Sequence, residues 1–287
     1  MRFSLILATV DRTEEVKRFL ESLDAQTYKE FELIVVDQNS DTRLSSILES
    51  YVKSFSILHL HTPQERGASK ARNLGFQNMN GAIISCPDDD CWYPPRLLEQ
   101  AASLLNEYPE ADGVSGRLMS DPDQLAQDNQ ISSTSGPFIR SPLKVMDIPG
   151  MVGLFLRTKV VDDVGSFDET LGPGAGTPWG SGEDTDYHLR ILKAGFNLCS
   201  NSELVVFHPT VDSYYAEGRD LERSYRYGAG RARVWRRYSL PRWYFPYQVA
   251  RSLAGVFLSL AKGQRFKAIW HWGAFRGKLR GWFSENE

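Results

Sequence analysis

Cysteine is scarce in this chain. Cys86, Cys91 and Cys199 are the three among 287 residues, too few and too odd in number for a disulfide scaffold. Cys86 and Cys91 flank an acidic cluster without a nearby Cys or His partner, so they read as small space-fillers and not as a zinc site. Long apolar runs are missing as well. The opening MRFSLILATVDRTEE carries a short apolar stretch that reads as a first strand rather than a secretory leader, so a reduced, cytoplasmic setting is expected. Within residues 219–287 the longest charge-free apolar stretch is the ten residues SLAGVFLSLA, 252–261, against roughly 20 needed to span a bilayer. No glycine-rich turn follows the first strand, where ATVDRTEE stands, which disfavours a dinucleotide-binding Rossmann domain. Internal repeats and low-complexity linkers are absent.

What is there suits a folded protein with a substantial core: 41% hydrophobic and 24% charged residues. The net charge of −3 hides an asymmetry. Residues 1–218 carry 18 Lys and Arg against 32 Asp and Glu, whereas residues 219–287 carry 15 against 4. Five of the seven tryptophans (Trp235, Trp243, Trp270, Trp272 and Trp282) also fall in that last part. An acidic body and a basic, aromatic tail are expected to face different partners.

The first hundred residues alternate between two periods. RFSLILA (2–8), FELIVVD (31–37), SILHLH (56–61) and GAIISCP (81–87) read as strands. TEEVKRFLESLDAQ (13–26), TRLSSILESYV (42–52), GASKARNLGFQNM (67–79) and PPRLLEQAASLLNEY (94–108) read as helices; in the first, Val16, Phe19, Leu20 and Leu23 share one face. Alternation of this kind predicts an α/β fold with a mostly parallel sheet covered on both faces.

Ligands of such sheets sit beyond the carboxyl ends of the strands. Three strand ends here carry polar or acidic groups: ATVD with Thr9 and Asp11, VVDQNSD with Asp37, and CPDDD with Asp88, Asp89 and Asp90. Asp and Asn also begin turns and cap helices, yet three such ends converging on one rim point to a site. Clustered carboxylates repel, and a divalent cation removes that cost. Oxygen ligands favour Mg²⁺ or Mn²⁺, which bridge carboxylates to a substrate diphosphate.

With these segments in order, the chain resembles glycosyltransferase family 2, the inverting, nucleotide-sugar-dependent enzymes of GT-A fold. SLILATVDR, FLESLDAQTYKEFELIVVDQNSD, GASKARNLG, CPDDDCWYPPRLLE, VGSFDETLG and GEDTDYHLRILKAGF carry the resemblance, from residue 3 to about residue 210. It implies a GT-A-type, mostly parallel mixed sheet flanked by helices, with a C-terminal helical extension. Residues 1–115 would form the nucleotide-sugar-binding half, 116–213 the acceptor-binding and catalytic half, and 214–287 the basic helical tail. It also implies roles. Thr9, Asp11 and Asp37 would line the nucleoside pocket, with Asp37 accepting from the base. Arg72 would lie near the pocket or the diphosphate. Asp88 would face ribose or the metal, Asp90 would bind the metal, and Asp89 either joins the nucleotide site or points away as a solvated cap. TVDR stands where the family often has Thr-Tyr-Asn-Arg, and VDQNS where Asp-Asp-Gly-Ser is common; these departures bear on the base more than on the reaction.

Inverting transfer needs a general base for the acceptor hydroxyl. In WGSGEDTDYHLRILKAG two acids, Glu183 and Asp184, open a helix whose N-terminus favours anions. First-turn acids are common in any helix; the resemblance makes Asp184 the base and Glu183 its neighbour toward the acceptor. Asp186 and Arg190, four apart, are expected to form a surface pair. His208 closes the strand read in ELVVFHPT (203–210) and is expected on the metal. The glycine-rich GPGAGTPWG (172–180) suits a closing loop, in which Trp179 could stack on an acceptor sugar.

The tail mixes arginine with tryptophan and phenylalanine, which suits helices lying in a membrane interface. The competing reading packs a basic helix pair on the acidic body, and no nucleic-acid motif is present. The implied protein is a metal-dependent glycosyltransferase, moving a sugar from a nucleoside-diphosphate sugar to a glycan or lipid-linked acceptor in bacterial surface polysaccharide synthesis. It would work peripherally on the inner face of the cell membrane. A metal-dependent nucleotidyltransferase and a non-catalytic binding or assembly protein of the same fold are the alternatives.

Overall fold

Apolar on both faces, FSLILAT and FELIVVD suit strands covered from two sides. They form β1 (Phe3–Thr9) and β2 (Phe31–Asp37), parallel neighbours with Phe3 opposite Phe31 and Thr9 opposite Asp37. The computed structural model describes residues 1–120, 138–146, 148–209, 221–238 and 240–284. These fall into two compact units: Met1–Arg66, Lys70–Phe167 and Arg190–Pro209 in the first, Gly67–Ser69, Asp168–Leu189 and Thr210–Glu287 in the second.

In the first unit the chain continues through β3 (Ser56–His61), β4 (Ile83–Ser85), β5 (Gly113–Met119), β6 (Phe138–Ile139), β7 (Leu154–Arg157) and β8 (Leu198–Phe207). The eight strands are ordered β3-β2-β1-β4-β7-β5-β8-β6. β1, β2, β3 and β4 run parallel, as do β5 and β8; β7 is antiparallel to both of its neighbours, and β6 to β8. Because β7 reverses twice, β5 and β8 point the same way as β4. Their carboxyl ends therefore share one edge with those of β1 and β2. The expected boundary at 115/116 falls inside β5, and the one at 213/214 lies outside the described residues.

Helices cover the sheet with the faces that their periodicity predicts. α1 (Glu14–Asp24) buries Val16, Phe19, Leu20 and Leu23. Shorter helices are α2 (Ser45–Tyr51) and α3 (Ala68–Phe76). α4 (Leu97–Glu107) buries Leu97, Leu98, Ala101, Ala102 and Leu105. α5 (Pro142–Val145) and α6 (Thr158–Val164) complete this set. Phe3, Phe155 and Tyr93 form the aromatic centre of the core, with Phe155 edge-on to Phe3 at 6.1 Å between centroids. Each such side chain taken from water contributes about 1.5–3 kcal/mol.

The helix α7 (Glu183–Lys193) starts in the second unit, which also holds α8 (Leu221–Arg237), α9 (Tyr244–Ala261) and α10 (Arg265–Phe283). The expected helical extension is therefore present. α10 meets α8 along a ridge of Gly273, Gly277 and Gly281. A Cβ at Gly277 would stand 1.9 Å from the Tyr225 carbonyl oxygen, and one at Gly281 2.0 Å from that of Ala229. Backbones at this separation exclude any larger residue. Part of the tail's aromatic content is spent inside the bundle: Trp235 is buried, and Trp282 stacks on Phe245 at 4.2 Å. Among the described residues no helix is long and apolar enough to cross a membrane.

Candidate functional site

Strand ends of the first unit bring Thr9, Asp37, the three aspartates and His208 to one edge of the sheet. β1 and β2 stop together at the pair Thr9 and Asp37. The chain after β4 rejoins β1 through a bridge between Ala8 and Asp88. At the end of β8, Phe207 bridges Trp92, so His208 arrives beside the triple aspartate. His208 Nε2 lies 3.1 Å from Asp90 Oδ1 and 3.5 Å from Asp88 Oδ2. Its Nδ1 is held by the Pro209 carbonyl oxygen at 2.8 Å, which leaves Nε2 to face the carboxylates.

Asp88, Asp90 and His208 each offer a ligand atom, all within 4.8 Å of one another. Two carboxylate oxygens and an imidazole nitrogen fit Mn²⁺ or Mg²⁺ better than a soft-ligand metal. The electrostatics show how much positive charge this cluster requires. Burial alone pushes His208 down, but hydrogen bonds and charge from Asp88 and Asp90 outweigh it and raise the imidazole to about 10. Burial pushes Asp90 up, yet His208 and Arg12 hold it well below the usual carboxylate range. Asp89 rises to about 7, because desolvation exceeds the help of Arg12 and of Thr9. Asp89 is thus no solvated cap: it accepts from Thr9 Oγ1 at 2.9 Å, and Arg12 Nη1 lies 3.3 Å from it.

Arg72, almost fully buried, reaches Asp88 Oδ1 with Nη2 at 3.2 Å, and its guanidinium lies over the Phe167 ring. Asp11 adopts φ +60 and donates its backbone N–H to Asn39 Oδ1. The Asp37 side chain is wholly buried; Oδ1 accepts from both the backbone N–H and Nδ2 of Asn39, and Oδ2 meets His59 Nε2 at 3.0 Å. Asp37 thus holds Asn39 and His59 at this rim.

Five residues at this rim escaped the sequence reading. Arg12 contacts Asp90 Oδ2 at 2.6 Å, and Arg18 donates to the Asp90 carbonyl at 2.6 Å while stacking on Trp92. Arg12 stands three positions after Thr9, so the strand end itself was its signal. His59 and His61 alternate on β3 beside Asp37, the spacing that puts both on one face. Asn39 follows Asp37 by two, the spacing of a turn-forming side chain.

Glu183 and Asp184 stand in the first turn of α7, within the second unit. The turn before them is fixed by α8. Ser181 Oγ donates to the Tyr227 carbonyl at 2.8 Å, and Gly182, at φ +99, lies so near Gly230 that a Cβ would stand 2.9 Å from its carbonyl oxygen. Asp186 is also corrected: it is 1% exposed, not a surface residue, and receives Arg237 Nη1 and the Tyr238 hydroxyl, each at 2.9 Å. Arg237 reaches Asp168 at 2.9 Å as well. Arg190 donates to the carbonyls of Val164 and Ser166. Trp179 is 5% exposed with the Arg233 guanidinium 4.5 Å over its ring, so that face packs on α8 and is not open to a sugar.

Residues 4–160 match the family model described as Glycosyl transferase family 2. Glycosyltransferase AglE of Haloferax volcanii is 26% identical over 236 residues, covering 81% of this chain and 73% of that protein. Dolichyl N-acetyl-alpha-D-glucosaminyl phosphate 3-beta-D-2,3-diacetamido-2,3-dideoxy-beta-D-glucuronosyltransferase of Methanococcus voltae is 22% identical over 281 residues, covering 89% and 81%. Other curated relatives are matched over 37% and 34% of their own length. Among solved structures, mannosyltransferase PcManGT of Pyrobaculum calidifontis in complex with GDP-Man and Mn²⁺ superposes with a TM-score of 0.65 at 16% identity, covering 98% of this chain and 87% of that one. That similarity establishes the GT-A fold.

Proposed function

This chain belongs to glycosyltransferase family 2, and from that premise we propose that it is an inverting, metal-dependent enzyme acting on a lipid-linked or growing surface glycan. The observation that carries the reading is the convergence of Asp88, Asp90 and His208 at the carboxyl edge of the parallel strands. Asp88, Asp90 and His208 would hold a divalent cation, which would supply positive charge against a departing diphosphate. Thr9, Asp11 and Asp89, with Asn39 and His59 as placed by Asp37, line the nucleoside side. Arg72 adds a cation beside Asp88.

Asp184 is the base in this reading. It takes the proton of the acceptor hydroxyl, and the oxygen attacks the anomeric carbon as the nucleoside diphosphate leaves. A single displacement inverts that carbon. Glu183 shares the helix turn and contacts the acceptor. The Methanococcus relative bears the name of an enzyme acting on a dolichyl-linked sugar, which supports a lipid-linked acceptor here. The basic tail supports work at a membrane surface on the cytoplasmic side.

Thermal unfolding with Mn²⁺ and a panel of nucleoside diphosphates tests the donor site, with Asp90→Ala beside wild type. Stabilisation by one diphosphate, dependent on metal and lost in the variant, is expected and names the base. No shift with any diphosphate overturns the reading and favours a non-catalytic partner. Product with retained anomeric configuration removes Asp184 as the base of a single displacement.

A further inference from the structure

The turn between α9 and α10 is built against the usual chemistry of a surface turn. Phe257, Leu258 and Leu260 end α9, and Phe266 opens α10; they are 68, 62, 55 and 64% exposed. Ile269 and Trp272 continue the exposed stripe along α10 at helical spacing. The connecting residues Lys262, Gly263 and Gln264 fold back tightly, with the Gln264 N–H on the Ser259 carbonyl at 2.8 Å. Gly255 is packed on His271, where a Cβ would stand 2.6 Å from the ring. The two helices thus close on each other one turn behind this tip, and its apolar side chains stay on the outside. Clustered large apolar side chains of this exposure mark an interaction surface.

The charge beside them chooses the partner. Lys262 and Arg265 flank the tip and are exposed, and Lys267 follows. From residue 223 to residue 284 the chain has no Asp or Glu at all. A second copy of this surface would set basic groups against basic groups, so self-pairing is opposed. An anionic lipid surface meets both properties: the basic groups take headgroups, and the apolar groups enter the acyl boundary to a depth of about 5–10 Å.

We propose that the α9–α10 hairpin tip, through Phe257, Leu258, Leu260, Phe266, Ile269 and Trp272, is the segment that docks this protein on an anionic bilayer. This rests on the reading of the tail as the membrane-facing part and narrows it to one turn. Trp235 and Trp282, which are packed inside the bundle, take no part.

Co-sedimentation of the full chain with phosphatidylcholine vesicles, with and without about 30% phosphatidylglycerol, tests the proposal. Wild type is expected to bind the anionic vesicles at least about tenfold more strongly than the neutral ones. Phe257→Asp with Phe266→Asp lowers that binding by about tenfold or more, and Lys262→Glu with Arg265→Glu removes the preference for anionic lipid. Val52→Asp, an equally exposed apolar position in the first unit, leaves binding unchanged. A wild-type helical circular dichroism spectrum and melting temperature show that each variant is folded. Wild-type binding by both double variants overturns the hairpin assignment while leaving the membrane reading in place. No binding of wild type to either vesicle, or a concentration-dependent dimer abolished by Phe257→Asp, overturns both. Neither result touches the donor-site reading, which the nucleotide shift reports separately.

Discussion

Replacing Gly230 by alanine puts a methyl group 1.9 Å from the carbonyl oxygen of Ser181, where ordinary contact begins at 3.4 Å. Both sides of this contact are backbone, so neither can rotate aside. The helix Leu221–Arg237 and the Ser181–Gly182 turn must separate by about 1.5 Å to relieve it. Overpacking of this kind costs about 1–3 kcal/mol, a fall of about 3–10 °C in melting temperature. The same turn begins the helix that carries Glu183 and Asp184, and the first bond of that helix runs from the Asp186 N–H to the Gly182 carbonyl at 2.8 Å. A displacement of that size at a base lowers turnover by about a hundredfold. Differential scanning fluorimetry and a sugar-transfer assay on Gly230→Ala measure both effects. The shift on adding Mn²⁺ and nucleoside diphosphate should persist, since its residues belong to the first unit. An alanine variant that melts and turns over like wild type refutes the argument, because no flexible side chain is available to absorb the methyl group.

Other consequences are as direct. Lys278 is buried on the carbonyl of Gln248 and Ser252 Oγ, and burial with neighbouring Arg231 and Arg251 lowers it from 10.5 to about 8. Its charged form is thus disfavoured in the folded state, and stability rises as pH increases from about 8 to about 10.5, where the unfolded chain still binds the proton. Lys278→Met removes that cost, worth about 2–3 kcal/mol at pH 7 less about 1 kcal/mol for the lost hydrogen bonds; a higher melting temperature and a flatter pH profile between 8 and 10 are expected, and an unchanged profile counts against it. Arg12→Gln takes a cation away from Asp90 and should tighten Mn²⁺ by about tenfold in titration calorimetry, whereas weaker binding would make Arg12 a support of the site. His208→Ala should abolish metal-dependent stabilisation by nucleoside diphosphates, and a retained shift would remove it from the ligand set. Arg237→Ala takes a cation away from the buried Asp186; a loss of about 2–3 kcal/mol is expected after allowing for Arg237's exposure, partly restored by Arg237→Lys, and read by thermal unfolding.

Much of the first unit is legible in the sequence, because strands buried on both faces and amphipathic helices leave opposite periods. FELIVVD is β2 residue for residue, and the face of α1 is the one its spacing gives. The far half of the sheet is less so. β6 has two residues and β7 four, too short for a period, and the reversal at β7 depends on contacts between segments distant in the chain. The Asp186 assignment failed for the same reason. Helical spacing offers only partners on its own helix, whereas Arg237 ends another and Tyr238 follows it. The burial of Trp179 was not legible in its own segment, because the cation over its ring, Arg233, lies in the tail. The tail composition indicated basic and aromatic surfaces, yet the four-residue spacing of Gly273, Gly277 and Gly281 was the signal for a backbone-to-backbone helix pair.

The triple aspartate follows a strand from the first third of the chain, while His208 follows the last strand of the sheet to be made. A ribosome therefore exposes the carboxylates long before the imidazole leaves the exit tunnel. Until β8 docks beside β5, the imidazole that faces Asp88 and Asp90 is missing from the cluster. In the proposed site, affinity for metal and nucleotide would therefore be completed only when the last strand of the first unit is in place, and a chain ending before it would carry the aspartates without their histidine.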